Sequence, residues 1–202
     1  MTRTLLIVWH SRTGAAWQMA QAAAQGARNV ADTLAADGDS NEVADHDGPH
    51  NDALGCDTTG EPILDRAKTS HLRIIMRHAL QASMQDMLQA DGFIFCAPEN
   101  LGTLSGEMKT FFDRRYYDVL DKIAGRPYAL IITAGSDGAG AARQATRICT
   151  GWRLRPVAEP LIERFDAQTA ATILAPKSLD DQKRASAFEL GGLAAGTLLL
   201  GG

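Results

Sequence analysis

Residues 92–112 read Gly92-Phe93-Ile94-Phe95-Cys96-Ala97-Pro98-Glu99-Asn100-Leu101-Gly102-Thr103-Leu104-Ser105-Gly106-Glu107-Met108-Lys109-Thr110-Phe111-Phe112. The unbroken apolar run up to Ala97 suits a strand covered on both faces, as in a parallel sheet. Pro98 lacks a backbone donor and is expected to stop that strand. A polar, Gly-containing connection follows. Apolar residues then return at helical spacing at Met108, Phe111, Phe112, Val119 and Leu120. The stretch is one strand, one loop and one helix.

The same unit recurs on either side. Leu5-Leu6-Ile7-Val8-Trp9 runs into His10-Ser11-Arg12-Thr13-Gly14, and an Ala-rich stretch follows with Met19, Ala20, Ala23, Ala27 and Val30 at helical spacing. His71 to Arg77 resumes a strand, and Met84 to Gln89 gives a short helix. Tyr128 to Thr133 is a strand ending in Ala134-Gly135-Ser136-Asp137-Gly138, with a helix over Ala141 to Cys149. Leu154 to Phe165 contains the last strand. Ser178-x-x-Asp181 has the form of a capping box before a C-terminal helix carrying Phe188, Leu193 and Leu198. Strand and helix alternate five times. That order implies an α/β fold in three layers, a doubly wound five-stranded parallel sheet with right-handed crossovers. In such open sheets the ligand lies beyond the carboxyl ends of the strands, which selects the loops at 10–16, 98–103 and 134–140.

Length and composition agree with one domain over residues 1–202. The chain is 45% hydrophobic and 22% charged, which excludes a wholly disordered or fibrous protein. Three cysteines, Cys56, Cys96 and Cys149, are too few and too scattered for a disulfide scaffold or a closed zinc site. The apolar run at 5–9 is too short for a signal-peptide core, and Leu190 to Leu200 falls short of the ~20 residues that span a bilayer. The expectation is a soluble, cytoplasmic protein with no membrane partner. Charge is uneven. Asp32 to Lys68 holds 10 acidic and 2 basic residues, leaving 14 acids and 18 bases elsewhere. Those cations are dispersed rather than clustered, so no nucleic-acid partner is expected. Asp32 to Thr69 also has four glycines, two prolines and no aromatic residue. It reads as an acidic, loop-like insertion at about 32–69 that cannot bury enough apolar surface to offset its ordering entropy.

Among the three loops, Ser11-Arg12-Thr13-Gly14 has the clearest chemistry. It follows a strand and opens a helix, where unpaired amides carry partial positive charge and suit a phosphate. Ser11 and Thr13 add hydroxyls, Gly14 allows close backbone approach, and Arg12 adds a full charge. A plain capping turn, with the hydroxyls bonding local amides, is the equal alternative on this segment alone.

Taken together, Ser-x-Thr-Gly after the first strand and Ala-Pro-Glu-Asn before Gly-Glu-Met-Lys-Thr-Phe-Phe-Asp-Arg after the third resemble the flavodoxin-like fold, closest to NAD(P)H-dependent FMN reductases. The likeness spans residues 4–31 and 70–200, and Pro98 to Arg114 is its most specific part. It implies strand order 2-1-3-4-5 with FMN at the switch point, flavodoxin being the standard example of that placement. It implies that Ser11, Arg12, Thr13, Gly14, Ala15 and Ala16 hold the FMN phosphate. Pro98, Glu99, Asn100, Leu101 and Gly102 would lie along the isoalloxazine, and Ala134, Gly135, Ser136, Asp137 and Gly138 on its other flank. Hydride would arrive from NADH or NADPH and leave to a small-molecule electron acceptor such as a quinone or free flavin. No side chain is required as a catalytic acid or base, and no metal. The resemblance also leaves a homodimer open. Two positions depart from the family's pattern. Ala16 stands where flavodoxins carry a phosphate-binding hydroxyl, and Asn100 where an aromatic residue is frequent. The alternative readings are a flavodoxin-type electron carrier without NAD(P)H turnover and a non-redox binding protein whose site has degenerated.

Other patterns are weaker. Gly138-Ala139-Gly140-Ala141-Ala142-Arg143 resembles half a dinucleotide fingerprint but lacks the third glycine; a flexible turn opening a helix is the plainer account. Asp37-Gly38-Asp39-Ser40-Asn41 imitates the start of a calcium loop, then places Glu42 and Gly48 where Gly and Glu are needed. His46, His50 and Cys56 are expected to be solvated rather than metal-bound. Cys96 and Cys149 read as core, Trp9 as a residue near the ligand or a sheet-edge cap. Arg114 to Tyr117 reads as a surface face with one buried ring.

Overall fold

The structure, a computed structural model, describes residues 2–40 and 71–201. Five principal positions make a parallel sheet. β1 (Arg3–Trp9) pairs on one side with β2 (Leu72–His78) and on the other with β3 (Gly92–Asn100); β3 pairs with β5 (Pro127–Ala134). The fifth position is shared by β6 (Arg155–Pro156) and β7 (Leu161–Arg164), which pair with the two ends of β5. A short β4 (Thr103–Leu104) lies antiparallel to the end of β3. Among the principal positions the order is the expected 2-1-3-4-5. Among the described residues the count is seven because the last strand is broken, with Pro156 and Pro160 at the break, and because the chain after β3 folds back on it as β4. Both prolines lie in an edge position, where a missing donor is tolerated.

The sheet's two faces follow from the alternation of side chains along each strand. Leu6, Val8, Phe93, Phe95, Leu130 and Ile132 point to one face. There they meet α2 (Met84–Gln89), α3 (Gly106–Val119) and α4 (Ala139–Gly151) through Met87, Met108, Phe111, Phe112 and Trp152. Leu5, Ile7, Ile94, Cys96, Ala129 and Ile131 point to the other, under α1 (Ala15–Ser40) and α6 (Asp181–Leu200). This two-sided burial explains the unalternating apolar runs. Tyr116 stacks on the buried Trp152, their ring centroids 5.9 Å apart, while Tyr117 is exposed.

Three boundaries differ from expectation. β3 passes through Pro98 and ends at Asn100. Cys96 O accepts the His10 amide at the end of β1, so Pro98 turns its nitrogen to that same side, where β1 has ended and no ladder bond is lost. α1 continues through Asp32 to Ser40, so the first part of the supposed loop is helical; alanine-rich sequence favours this. Residues 41–69 of that insertion, with His46, His50 and Cys56, lie outside the described residues, and Asp37 to Ser40 are the end of α1. Asp180, not Ser178, caps α6, accepting the Lys183 amide at 2.8 Å. A short helix absent from the sequence reading, α5 (Ala170–Leu174), is closed by a Thr169–Thr172 capping box. Among the described residues no helix is long and apolar enough to cross a membrane.

α1 and α6 touch backbone to backbone. A Cβ on Gly26 would lie 1.8 Å from Phe188 O, and one on Gly191 1.9 Å from Ala23 O. Glycine inside a helix costs about 1 kcal/mol relative to alanine, and here close packing offsets that cost. Gly191→Ala should therefore destabilise rather than improve α6, by about 1–3 kcal/mol, read as a lower denaturation midpoint. An unchanged or raised midpoint would show that the helices can separate freely.

Candidate functional site

The carboxyl ends of β1, β3 and β5 converge. The first loop turns at Gly14, whose φ of +91° lies in the region that favours glycine. The Gly14 amide donates to Ser11 Oγ at 3.1 Å, which leaves the Ser11 hydroxyl hydrogen for another acceptor. No acceptor among the described residues receives the amides of Arg12, Thr13, Ala15, Ala16 or Trp17. The local capping turn thus engages one amide of the loop and leaves the others available to an anion. Gln18 braces the loop from behind, donating to Gly14 O and to Lys177 O and accepting the Leu179 amide, while the Lys177 amide donates to Thr13 O at 2.8 Å.

The second loop is a hairpin. Leu101 and Gly102 both have positive φ, +52° and +73°, the requirement of a tight two-residue turn between β3 and β4. Leu101 is 95% exposed at its tip. Two contacts hold the hairpin to α4. Gln144 Oε1 accepts the Leu104 amide at 2.8 Å, and a Cβ on Gly140 would lie 2.0 Å from Gly102 O. Gly138 has φ +82°, and a Cβ there would meet Ile162 at 2.4 Å. The glycines of the half-fingerprint are accounted for by packing and turn geometry.

Glu99 joins the second loop to the third. Its Oε2 accepts the Gly138 amide at 2.8 Å, while its Oε1 is buried with no partner among the described residues. Unsatisfied buried acceptors are uncommon and unfavourable. Glu99 lines a small cleft of about 60 Å³ with Arg12, Thr13, Ala15, Pro98, Ala134 and Gly135. At roughly 30 Å³ per liquid water, that is room for a few waters at most, the scale of a phosphate or a short polyol segment rather than a fused ring.

The remaining expected residues stand around this cleft. Ser11 and Gly14 shape the turn. Ala16 is buried under α1 in the sheet-facing core, and its carbonyl accepts the Cys96 thiol at 3.0 Å, so only its amide is available to the loop. Asn100 Oδ1 accepts from Arg12 Nη1. Gly102 supports α4, and Leu101, Ser136 and Asp137 are exposed beyond the cleft. Burial pushes the Cys96 thiol well up, which rules it out as a nucleophile. Trp9 packs on Trp17, ring centroids 4.2 Å apart, at the carboxyl end of β1, an interior strand.

Sequence reasoning missed Thr133, Phe165, Ala167, Ile173 and Lys177, which complete the cleft wall. The last four come from the connection after β7, where no motif marks them. Lys177 Nζ is held by the carbonyls of Thr172 and Ala175, a second cation beside Arg12. Among the described residues no group of three side chains is placed to hold a metal.

With that geometry established, the relatives are informative. The sequence profile of the NADPH-dependent FMN reductases matches residues 8–162. The chain belongs to the NADPH-dependent FMN reductase family. As a member it is a flavodoxin-like, FMN-binding oxidoreductase. It is 22% identical over 186 residues to a flavodoxin of Aquifex aeolicus (strain VF5), covering 90% of this chain and 80% of that protein. Solved structures share the fold at lower identity. An archaeal flavodoxin superposes with a TM-score of 0.63 at 11% identity, covering 97% of this chain and 99% of the other. A WrbA-like flavodoxin from Agrobacterium tumefaciens gives 0.57 at 13% identity, covering 98% and 99%. A flavodiiron core from Synechocystis sp. PCC6803 gives 0.64 at 13% identity; this chain is covered in full but spans only 37% of that one.

The packing role of Gly140 in this family member can be tested directly. Gly140→Ala should push the hairpin from α4, speed hydrogen exchange at the Leu104 amide and lower stability by about 1–3 kcal/mol. Protection at Leu104 that survives the substitution would return Gly140 to consideration as a ligand-binding glycine.

Proposed function

We propose that this protein holds FMN across the three loops, takes hydride from NADH or NADPH, and passes the electrons to a small acceptor such as a quinone or free flavin. The observation that carries this reading is the cleft's pair of unmet needs. Free amides at the start of α1 call for an anion, and the buried Glu99 Oε1 calls for a donor. FMN offers both, a phosphate and a chain of hydroxyls.

In this arrangement the amides of residues 12–16, the Ser11 and Thr13 hydroxyls and the Arg12 guanidinium would hold the phosphate. Lys177, on the opposite wall, adds positive potential that offsets Glu99. Glu99 would accept a cofactor hydroxyl without losing its bond to the Gly138 amide. The ring would rest outside the cleft, between the 98–102 hairpin and the 134–138 loop, where exposed Leu101 leaves a second substrate room to approach. Bound FMN supplies the hydride-accepting and electron-donating ring. The chain's own work is binding, orientation and partial exclusion of water.

Titration of the purified protein with FMN should show saturable binding. Arg12→Ala should weaken it about tenfold, the scale of one lost charged hydrogen bond, and raised salt should weaken the wild-type complex. A protein that takes up no FMN overturns the proposal. Adding NADH or NADPH to the flavin complex without oxygen should bleach the visible flavin band within turnover times. Bleaching by dithionite but by neither nucleotide would make the protein an electron carrier, in line with the flavodoxin relative.

A further inference from the structure

His10 stands at the junction of β1 and the first loop, and nothing in the proposed chemistry uses it. The residue is 5% exposed, and both ring nitrogens face polar groups. Nδ1 lies 2.8 Å from Ser105 Oγ, and Nε2 lies 3.4 Å from Glu107 Oε2. Ser105 is the N-cap of α3, yet its side chain makes no cap bond. A serine in that position ordinarily accepts an amide of the first turn; here its hydroxyl is directed to His10. One arrangement of protons satisfies the chain. Ser105 O–H donates to Nδ1 of the neutral ring, and Nε2–H faces the Glu107 carboxylate at 3.4 Å, an electrostatic contact rather than a hydrogen bond. Ser105 is itself 1% exposed, so the trio has no access for an acyl substrate and is not a nucleophilic triad.

The trio ties two parts of the flavin site together. His10 precedes the anion loop directly, and its amide is bonded to Cys96 O. Ser105 closes the hairpin, its amide donating to Pro98 O at 3.1 Å. We propose that neutral His10 is a positioning residue that fixes the 98–105 hairpin to the first loop, and that protonation loosens this tie and weakens FMN binding.

The charge balance gives the direction. The titratable and charged groups facing the ring are Glu107 from α3, His78 from β2 at 5.6 Å between ring centroids, and Arg12 from its own loop. Burial disfavours the imidazolium most; Glu107 opposes that, while His78 and Arg12 reinforce it. The ring is therefore held below the ordinary histidine value of 6.5. A second proton on Nδ1 would turn the Ser105 bond around and leave the serine hydroxyl hydrogen without an acceptor in a buried position. Because the folded value lies below the unfolded one, the tie is intact above 6.5 and is lost as pH falls through the folded value.

The inference rests on the flavin reading for its purpose, so the test separates the two. Histidine side-chain NMR of the flavin-free protein should find His10 as the Nε2–H tautomer near neutrality. Hydrogen exchange at the Ser105 and hairpin amides, corrected for intrinsic rates, should accelerate as His10 titrates. His10→Gln, which can accept from Ser105 and donate to Glu107 without charging, should abolish that pH dependence. Glu107→Gln, at an exposed site that does not endanger folding, should move the midpoint to lower pH. FMN affinity should fall more steeply in the wild type than in His10→Gln as pH drops through the His10 midpoint read by NMR, the variant keeping only the fall due to the FMN phosphate's own second ionisation. An exchange profile that ignores His10 titration overturns the tie whether or not FMN binds. FMN affinity that is flat in the wild type, or falls equally in His10→Gln, overturns the positioning role. Exchange that tracks His10 in a protein that binds no FMN keeps the tie and removes the flavin reading.

Discussion

The two-sided burial of β1, β3 and β5 is the constraint from which the rest follows. A strand with apolar side chains on both faces needs helices on both faces, and parallel neighbours require crossovers to supply them. Each crossover leaves the sheet at its carboxyl edge, so the starts of α1, α3 and α4 gather there. Helix starts carry unpaired amides. The same hydrophobic requirement that organises the core therefore collects hydrogen-bond donors along one edge. Close packing sharpens this on the α1 side, where Gly26 and Gly191 bring two backbones into contact and fix the position of α1 beneath the first loop.

Each of the three helix starts meets its donors differently. At α4, the Gly138 amide goes to the Glu99 carboxylate. At α3, Ser105 leaves the helix uncapped and turns to His10. At α1, Ser11 takes the Gly14 amide and the next amides find no acceptor among the described residues. The first helix start is thus left open while its neighbours are tied to one another through Glu99, Ser105 and His10. That difference leaves the first loop as the helix start whose donors still await an acceptor, with the other two tied to the protein.

The principal strands were legible because buried runs of apolar residues carry no ambiguity about which face is covered, since both are; their order came from the resemblance to flavodoxins. The three loops were legible for the same reason. What could not be read were features set by neighbours rather than by local pattern. Pro98 looks like a strand terminator, and only the earlier end of β1 makes it harmless. Ala16 looks like a missing phosphate ligand, whereas its side chain belongs to the core. Gly138 and Gly140 look like half a nucleotide motif, and their contacts with Ile162 and Gly102 explain them. Lys177 and Ile173 reach the cleft because α5 folds back over the first loop, and no periodicity announces that. His10 and Ser105 are 95 residues apart, a separation at which sequence pattern says nothing about contact.

Glu99 gives the strongest physical reason to treat the cleft as a binding site rather than a packing defect. A buried acceptor without a partner costs about 1–3 kcal/mol, a large share of a domain's net stability. The cost is avoidable here: glutamine would keep an acceptor for the Gly138 amide and remove the charge. A hydroxyl or N–H donor entering beside Arg12 and Lys177 would supply the partner that Glu99 Oε1 lacks. The same ligand would need an anionic end to meet the open amides of α1. Water could satisfy either group alone. A molecule with both an anionic end and donors would satisfy the two together within one small cleft, and that is the pairing the proposed FMN reading asks of these residues.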